Sequence, residues 1–219
     1  MPAAYPVLLN VGARRCVIIG GGGVAVRKAK GLLSAGARHV AMVAPAFCSD
    51  VPEPVKKVHE CYRPQHIDEA GIVFAATNVR AVNDAVVRDA GSRGIWVSRA
   101  DGEEELAGDF VSAAQFQKGA VTVAISAASA ALSVMIRDRL AARWEAGWSD
   151  MSQAMAQLRP EIKRRFNEPT RRAIFRDLAT EQAIALLARG GIDGLRDWIN
   201  RQYGAPGDAP PGAEREPGA

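Results

Sequence analysis

The sequence predicts an α/β fold: a parallel sheet flanked by helices, then a small α+β segment, then a helical region toward the C-terminal end. Three observations carry this expectation. Residues 16–29 pack a short apolar strand, four consecutive glycines and the start of an amphipathic helix into one stretch. Apolar runs that suit strands covered on both faces then alternate with helical patterns as far as Asp101. Beyond that residue the pattern changes to a pair of strand candidates followed only by helices.

In order, Tyr5-Pro6-Val7-Leu8-Leu9 is an apolar run suited to an edge strand or a lead-in, and Val11-Gly12-Ala13-Arg14 is a turn. Residues 17–19 form the first buried strand. Ala25, Ala29, Leu32 and Leu33 recur at helical spacing behind the glycines, and Gly36 suits the position after the helix end. His39–Val43 reads as the second strand, ending in Ala44-Pro45-Ala46, and residues 58–62 alternate weakly as a third. Residues 71–76 are a continuous buried strand that runs into Thr77-Asn78. A helix with Val82, Ala85, Val86 and Ala90 on one face leads to a further strand at residues 94–98. Such βαβ alternation implies parallel strands joined by right-handed crossovers. In open sheets of this kind the ligand cleft lies just past the carboxyl ends of the strands. Here those ends are residues 20–23, Ala44 and Pro45, Thr77 and Asn78, and residues 98–101.

After Asp101 an acidic run, Gly102-Glu103-Glu104-Glu105, precedes strand candidates at residues 110–116 and Val121–Ile125, and Lys118-Gly119 between them fits a hairpin. The next helix should turn Leu132, Met135, Ile136 and Leu140 inward. Another carries Met151, Met155, Leu158, Ile162 and Phe166 at helical spacing. Shorter helices are expected around residues 174–178, after Thr180, and after Asp193, where Leu195, Trp198 and Ile199 share a face; Thr180 and Asp193 suit N-caps. The resulting division is a nucleotide-binding domain at 1–108, a dimerisation hairpin and helix at 109–147, a helical region at 148–203, and a disordered Gly/Pro/Glu-rich tail at 204–219.

A chain of 219 residues with 48% hydrophobic content can bury a substantial core. Its formal net charge of +4, from 28 basic against 24 acidic residues, is too mild to demand a nucleic-acid partner. Cys16, Cys48 and Cys61 are far apart and read as free thiols, and His39, His59 and His66 lack ligand spacing, so no metal site is expected. Neither a signal peptide nor a long apolar span is evident, which points to the cytoplasm and to no membrane partner.

The glycine run has a chemical use. N–H groups of a helix's first turn lack intrahelical partners, and the helix dipole adds partial positive charge, so a diphosphate can dock on bare backbone. Gly20, Gly22 and Ala25 fit G-x-G-x-x-A, the fingerprint of Rossmann-type dinucleotide domains. Gly20 would make the tight turn, Gly22 would admit the pyrophosphate, and Ala25 would let helix and strand pack closely. Gly21, Gly23, Val24, Ala44, Pro45, Thr77 and Asn78 complete the expected cofactor contacts. The acid that often holds the adenosine ribose about 20 residues on is missing, so this rule does not separate NAD from NADP.

These residues, taken together, resemble precorrin-2 dehydrogenase, the amino-terminal dehydrogenase/chelatase module of siroheme synthase. The resemblance rests on Pro6-Val7-Leu8-Leu9, the strand and glycine turn with Val24-Ala25 and Arg27-Lys28, Leu32-Leu33, Ala35-Gly36-Ala37 and Val43-Ala44-Pro45. It continues through Ala75-Ala76-Thr77, Asn83, Asp101, Asp109-Phe110-Val111 and Val123-Ala124-Ile125-Ser126. The resemblance implies NAD⁺-dependent oxidation of precorrin-2 to sirohydrochlorin in siroheme synthesis, and in some members insertion of ferrous iron.

It also implies that Asp101, at the end of an N-x-x-D strand element, is the catalytic residue, as general base or substrate orienter. Here the element reads Ser98-Arg99-Ala100-Asp101, so the Asp matches and the Asn does not. Ser112-Ala113 replaces a common proline, and residues 126–130 replace S-x-G-G-x-S-P with a shorter Ser126-Ala127-Ala128-Ser129-Ala130. Arg99, Ser126, Ser129 and Arg137 are the expected contacts for the carboxylate-rich substrate, with Lys118, Arg139 and Arg143 as further cations. The helical remainder suits packing and homodimer formation. The family's larger forms carry a methyltransferase domain downstream, and with none in these 219 residues methylation is expected to fall to another protein. A non-catalytic NAD-binding regulatory or tetrapyrrole-binding module stands as the alternative, favoured by the altered Ser126 loop. A short-chain reductase would need a Tyr-x-x-x-Lys pair, which Tyr5, Tyr62 and Tyr203 all lack.

Overall fold

Residues 5–101 and 108–204 are described by a computed structural model. The acidic run at 102–105 and nearly all of the expected tail lie outside the described residues. Contacts divide the chain between Ser112 and Ala113 into two units.

The first unit is built on a five-stranded sheet in the order β3-β2-β1-β4-β5. β1 (Arg15–Ile19) lies at its centre, and its residues Val17 and Ile18 are fully buried because both faces are covered. α1 (Gly23–Ser34) carries the chain to β2 (His39–Val43), which pairs in parallel with β1. β3 (Lys56–Val58) extends the sheet beyond β2, whereas β4 (Ile72–Ala75) returns to the other side of β1. α2 (Arg80–Ser92) then leads to β5 (Trp96–Arg99), parallel to β4. Strand order therefore reverses between β1 and β4, the place where sheets of this class open a ligand crevice.

Two apolar layers sandwich the sheet. Ala25, Val26, Ala29 and Leu32 of α1 pack with Ile18, Met42 and Phe74 on one face. Val86, Val87 and Ala90 of α2 pack with Val17, Ile19 and Val73 on the other, together with Ile67 of a short 3-10 turn at Pro64–Ile67. Gly36, at φ +83°, follows α1 as expected.

Local departures from the sequence reading have physical causes. The run at residues 5–9 forms no strand. The third strand occupies Lys56–Val58 rather than residues 58–62, because Tyr62 leaves the sheet edge and donates its hydroxyl to Asp89 Oδ2 of α2 at 2.8 Å. The free edge of β5 is covered by the returning chain: Asp109 N–H donates to the Val97 carbonyl at 2.7 Å, and Val97 N–H to Asp109 Oδ2 at 2.8 Å.

In the second unit β6 (Ala114–Lys118) and β7 (Val121–Ile125) form the expected antiparallel hairpin, with Gly119 at φ +57° in its turn; the first strand starts at Ala114 rather than 110 and includes Lys118, the chain at Asp109 being tied to β5. α3 (Ala130–Ala142) follows. Its expected inward face is corrected here: Leu132 and Met135 are each 41% exposed and Leu140 46%, while Ser133 is the buried residue. Ser133 accepts from Ala127 N–H and donates to the Ser129 carbonyl, which turns that polar side of α3 toward its own loop.

α4 (Ala146–Arg165), α5 (Glu168–Leu178) and α6 (Glu181–Tyr203) enclose a separate core of Met151, Leu158, Ile162, Ile174, Leu178, Leu195 and Ile199. Thr180 caps α6 by accepting from Ala183 N–H at 3.3 Å. The two helices expected after Thr180 and Asp193 meet within α6 at Gly191, whose φ of 60° and ψ of −163° leave the helical region and separate them; Asp193 pairs with Arg196.

Candidate functional site

The site is assembled at the carboxyl edge of the sheet in the first unit. Gly20 continues the ladder by donating to the Val43 carbonyl at 2.9 Å, then turns with φ +137°. A Cβ there would lie 2.3 Å from the Ala76 oxygen, and one on Gly21 would lie 2.0 Å from the Ala46 oxygen. Both glycines are therefore required by the protein's own packing. Gly22 differs: it precedes α1 in ordinary extended geometry, and nothing lies within 4 Å of where its Cβ would be. The space above Gly22 is open, as a diphosphate cradle would require.

Electrostatics agree with that fit. α1 has no side-chain cap and no acidic residue in its first turn, so its N-terminal N–H groups and dipole face the cradle uncompensated. The first intrahelical bond runs from Val26 N–H to the Gly22 carbonyl, leaving the preceding N–H groups to a ligand or water. Val24 is exposed at this end, and Ala25 is fully buried where the helix meets the sheet. Ala44 is buried beside Gly21, and Pro45 is exposed beyond it.

Thr77 lies two residues past the end of β4, with Asn78 exposed beside it. Thr77 N–H donates to Asn83 Oδ1 at 3.2 Å and Thr77 Oγ1 lies 2.8 Å from the same oxygen. Asn83 Nδ2 donates back to the Thr77 carbonyl at 3.0 Å and also to Asp101 Oδ2 at 2.8 Å. Arg99, the last residue of β5, completes the arrangement. Its Nε and Nη2 form a fork on the Asp101 carboxylate at 2.5 and 2.9 Å, and its Nη1 reaches Asp84 Oδ1 at 2.5 Å.

The Arg99 side chain is only 2% exposed, so its charge is matched inside the protein by two carboxylates rather than presented at the surface. The hydrogen bond to Asp101 raises its already high pKa, burial opposes this, and the bond to Asp84 adds to the rise; it remains a cation.

The structure thus brings together the glycine turn, Ala44, Thr77, Arg99 and Asp101 in one unit. Ser126, Ser129 and Arg137 belong to the other. Ser126 is exposed after β7, Ser129 caps α3 by accepting from Leu132 N–H at 3.1 Å, and Arg137 pairs with Asp138. Asn83 and Asp84 join this cluster, and the sequence reading assigned neither a role. A signal existed for Asn83: it shares the spacing of Val86, Val87 and Ala90, a polar residue on an otherwise apolar buried stripe. Among the described residues, no group of three or more His, Cys, Asp or Glu could hold a metal ion, and no helix is long and apolar enough to cross a membrane.

Comparison with known proteins places these features in context. Residues 7–114 match a family described as putative NAD(P)-binding. Siroheme synthase of Nitrosomonas eutropha is 31% identical over 216 residues, covering 94% of this chain and 45% of that protein. Siroheme synthase of Nitrosospira multiformis is 30% identical over 209 residues, covering 90% and 44%. The chain therefore spans less than half the length of these relatives. The solved structure of SirC, precorrin-2 dehydrogenase, superposes with a TM-score of 0.72 at 23% identity, covering 90% of this chain and 100% of that one, which establishes the shared fold.

Proposed function

Because this chain belongs to the family of precorrin-2 dehydrogenases and siroheme synthase amino-terminal modules, we propose that it oxidises precorrin-2 to sirohydrochlorin. The observation that carries the reading is Asp101, held at the carboxyl edge of β5 by Arg99 and Asn83, in the same unit as the glycine turn. The oxidation removes a hydride and a proton from the tetrapyrrole, and NAD⁺ bound at the glycine turn would accept the hydride. Residues 22–25 would hold the diphosphate through backbone N–H groups, and Thr77 with Asn78 would contribute further cofactor contacts. Asp101 takes the proton or fixes the tetrapyrrole, and Arg99 and Asn83 keep its carboxylate from rotating.

NAD⁺ rather than NADP⁺ is proposed from the family, because no acid or arginine stands at the end of β2. Homodimer formation is proposed from Leu132, Met135 and Leu140 of α3, which share one side of the helix and are exposed among the described residues. A cytoplasmic location accords with this chemistry, and neither nucleic acid nor membrane is required as a partner.

Anaerobic incubation with precorrin-2 and NAD⁺ tests the reading, with NADH formation and the sirohydrochlorin spectrum as readouts. Asp101→Asn should lower kcat by roughly 10² to 10⁴ if the carboxylate accepts the proton. If it orients substrate, KM should rise while kcat moves little. The altered Ser126 loop favours a second reading, a non-catalytic NAD-binding module; in that case neither protein would form NADH.

A further inference from the structure

We propose that Asn83 is a positioning residue that locks the Thr77 loop and the Asp101 carboxylate into one rigid piece, so that dinucleotide binding and acid placement are energetically coupled. This inference rests on the site reading above and deepens it.

Asn83 is fully buried, and its amide uses its whole hydrogen-bonding capacity. Oδ1 takes the Thr77 N–H and hydroxyl, and Nδ2 supplies the Thr77 carbonyl and Asp101 Oδ2. The amide therefore has one orientation. Turned over, its oxygen would face the Thr77 carbonyl and the Asp101 carboxylate, and its NH₂ would face the Thr77 N–H.

Both ends of this bridge touch the proposed chemistry. The Ala76–Thr77 backbone forms the wall against which Gly20 turns, since a Cβ on Gly20 would lie 2.3 Å from the Ala76 oxygen and 3.4 Å from Thr77 N. At the other end, the neighbouring Asp84 grips Arg99, whose fork holds the same Asp101. Two successive residues at the start of α2 thus hold Asp101, one directly and one through Arg99. A shift of the Thr77 loop on dinucleotide binding would be passed to Asp101 through one buried amide, with no intervening side chain to absorb it.

The test is a double-mutant cycle on NAD⁺ affinity, measured by calorimetry on the full chain, which does not depend on turnover. Asn83→Ala should weaken NAD⁺ binding by about 5- to 50-fold, the usual scale of site-to-site coupling. Asp101→Ala should weaken it at least about threefold when Asn83 is present and have no further effect in the Asn83→Ala background. Equal effects of Asp101→Ala in both backgrounds, or none in either, overturn the proposal, as does a wild-type protein that binds no NAD⁺.

Should Asn83→Ala fail to fold, Asn83→Asp preserves the shape while setting a second carboxylate against Asp101, with Arg99 and Asp84 as the other charged groups in the cluster. Its NAD⁺ affinity should recover as pH falls from 8 to 5, because the facing carboxylates can then share a proton. A defect independent of pH contradicts the coupling. A wild-type protein that shows the coupling but converts no precorrin-2 keeps this proposal and removes the catalytic reading.

Discussion

In the first unit the central strands leave almost nothing apolar uncovered: Val17, Ile18 and Val73 are fully buried between α1 and α2. The hairpin and α3 of the second unit are built the other way, with Leu132, Val134, Met135 and Leu140 all 40% exposed or more. What each region leaves unfinished differs in kind. The sheet unit exposes polar backbone at the uncapped start of α1, on the same carboxyl edge as a carboxylate held by Arg99 and Asn83, whereas α3 exposes hydrocarbon. Bare N–H groups at a helix start call for an anion, and a hydrocarbon stripe calls for another apolar surface. The ligand site and the association surface proposed above therefore differ in the kind of group that lacks a partner.

The largest effect that could break this contrast is in the core. Ile18→Ala, in the middle of the sheet, should destabilise the protein by about 2–5 kcal/mol, while Met135→Ala should change monomer stability by no more than about 0.5 kcal/mol. Urea unfolding at low protein concentration measures both, and comparable losses would show that α3 is as well packed as the sheet.

Next is the cradle. Gly22→Val should lower NAD⁺ affinity by about 100-fold or more, since its side chain would fill space that only a ligand needs. Folding should lose only about 1 kcal/mol, from the poorer N-cap. Unchanged affinity in calorimetry would remove the glycine turn from the site.

A smaller effect sharpens the contrast from the other side. Met135→Glu places a charge on the exposed stripe and should weaken self-association about tenfold or more without unfolding the chain. Light scattering across a dilution series reads this, and a wild-type protein already monomeric at micromolar concentration would refute the dimer.

The slightest effect lies in the helical core, remote from both surfaces. Burial, and then the hydrogen bond to Asp177, push the Tyr203 phenol up to about 12. Between the usual tyrosine range near 10 and that value, the unfolded chain gives up a proton that the folded chain keeps. Stability is thus lost as pH rises through this window. Tyr203→Phe should flatten that alkaline loss, measured by circular dichroism; an unchanged slope would show that the Tyr203 contact contributes nothing.

Much of the sheet was legible in the sequence because its signals are local. His39–Val43 falls where the apolar run placed it, and Gly20, Gly36 and Gly119 take the positive φ values that their turns require. The third strand was misplaced because Tyr62 obeys a partner on α2 rather than its neighbours in sequence. The inward face of α3 was misjudged because apolar residues surround most of that helix, so periodicity alone could not say which side the small hairpin would cover.

By itself the sequence determined the strand, glycine turn and helix, since steric limits on the backbone and the spacing of apolar side chains act within a few residues. It also determined that Asp101 follows a strand, at the carboxyl edge of the sheet. Only the tertiary structure decided what Asp101 is attached to. Asn83 and Asp84 come from α2, Arg99 from β5 and Thr77 from just past β4, and their hydrogen bonds exist only once the parallel sheet has set those elements side by side. It likewise decided that the Arg99 charge is used inside the protein, because burial depends on which elements cover a strand end, and no local pattern encodes that.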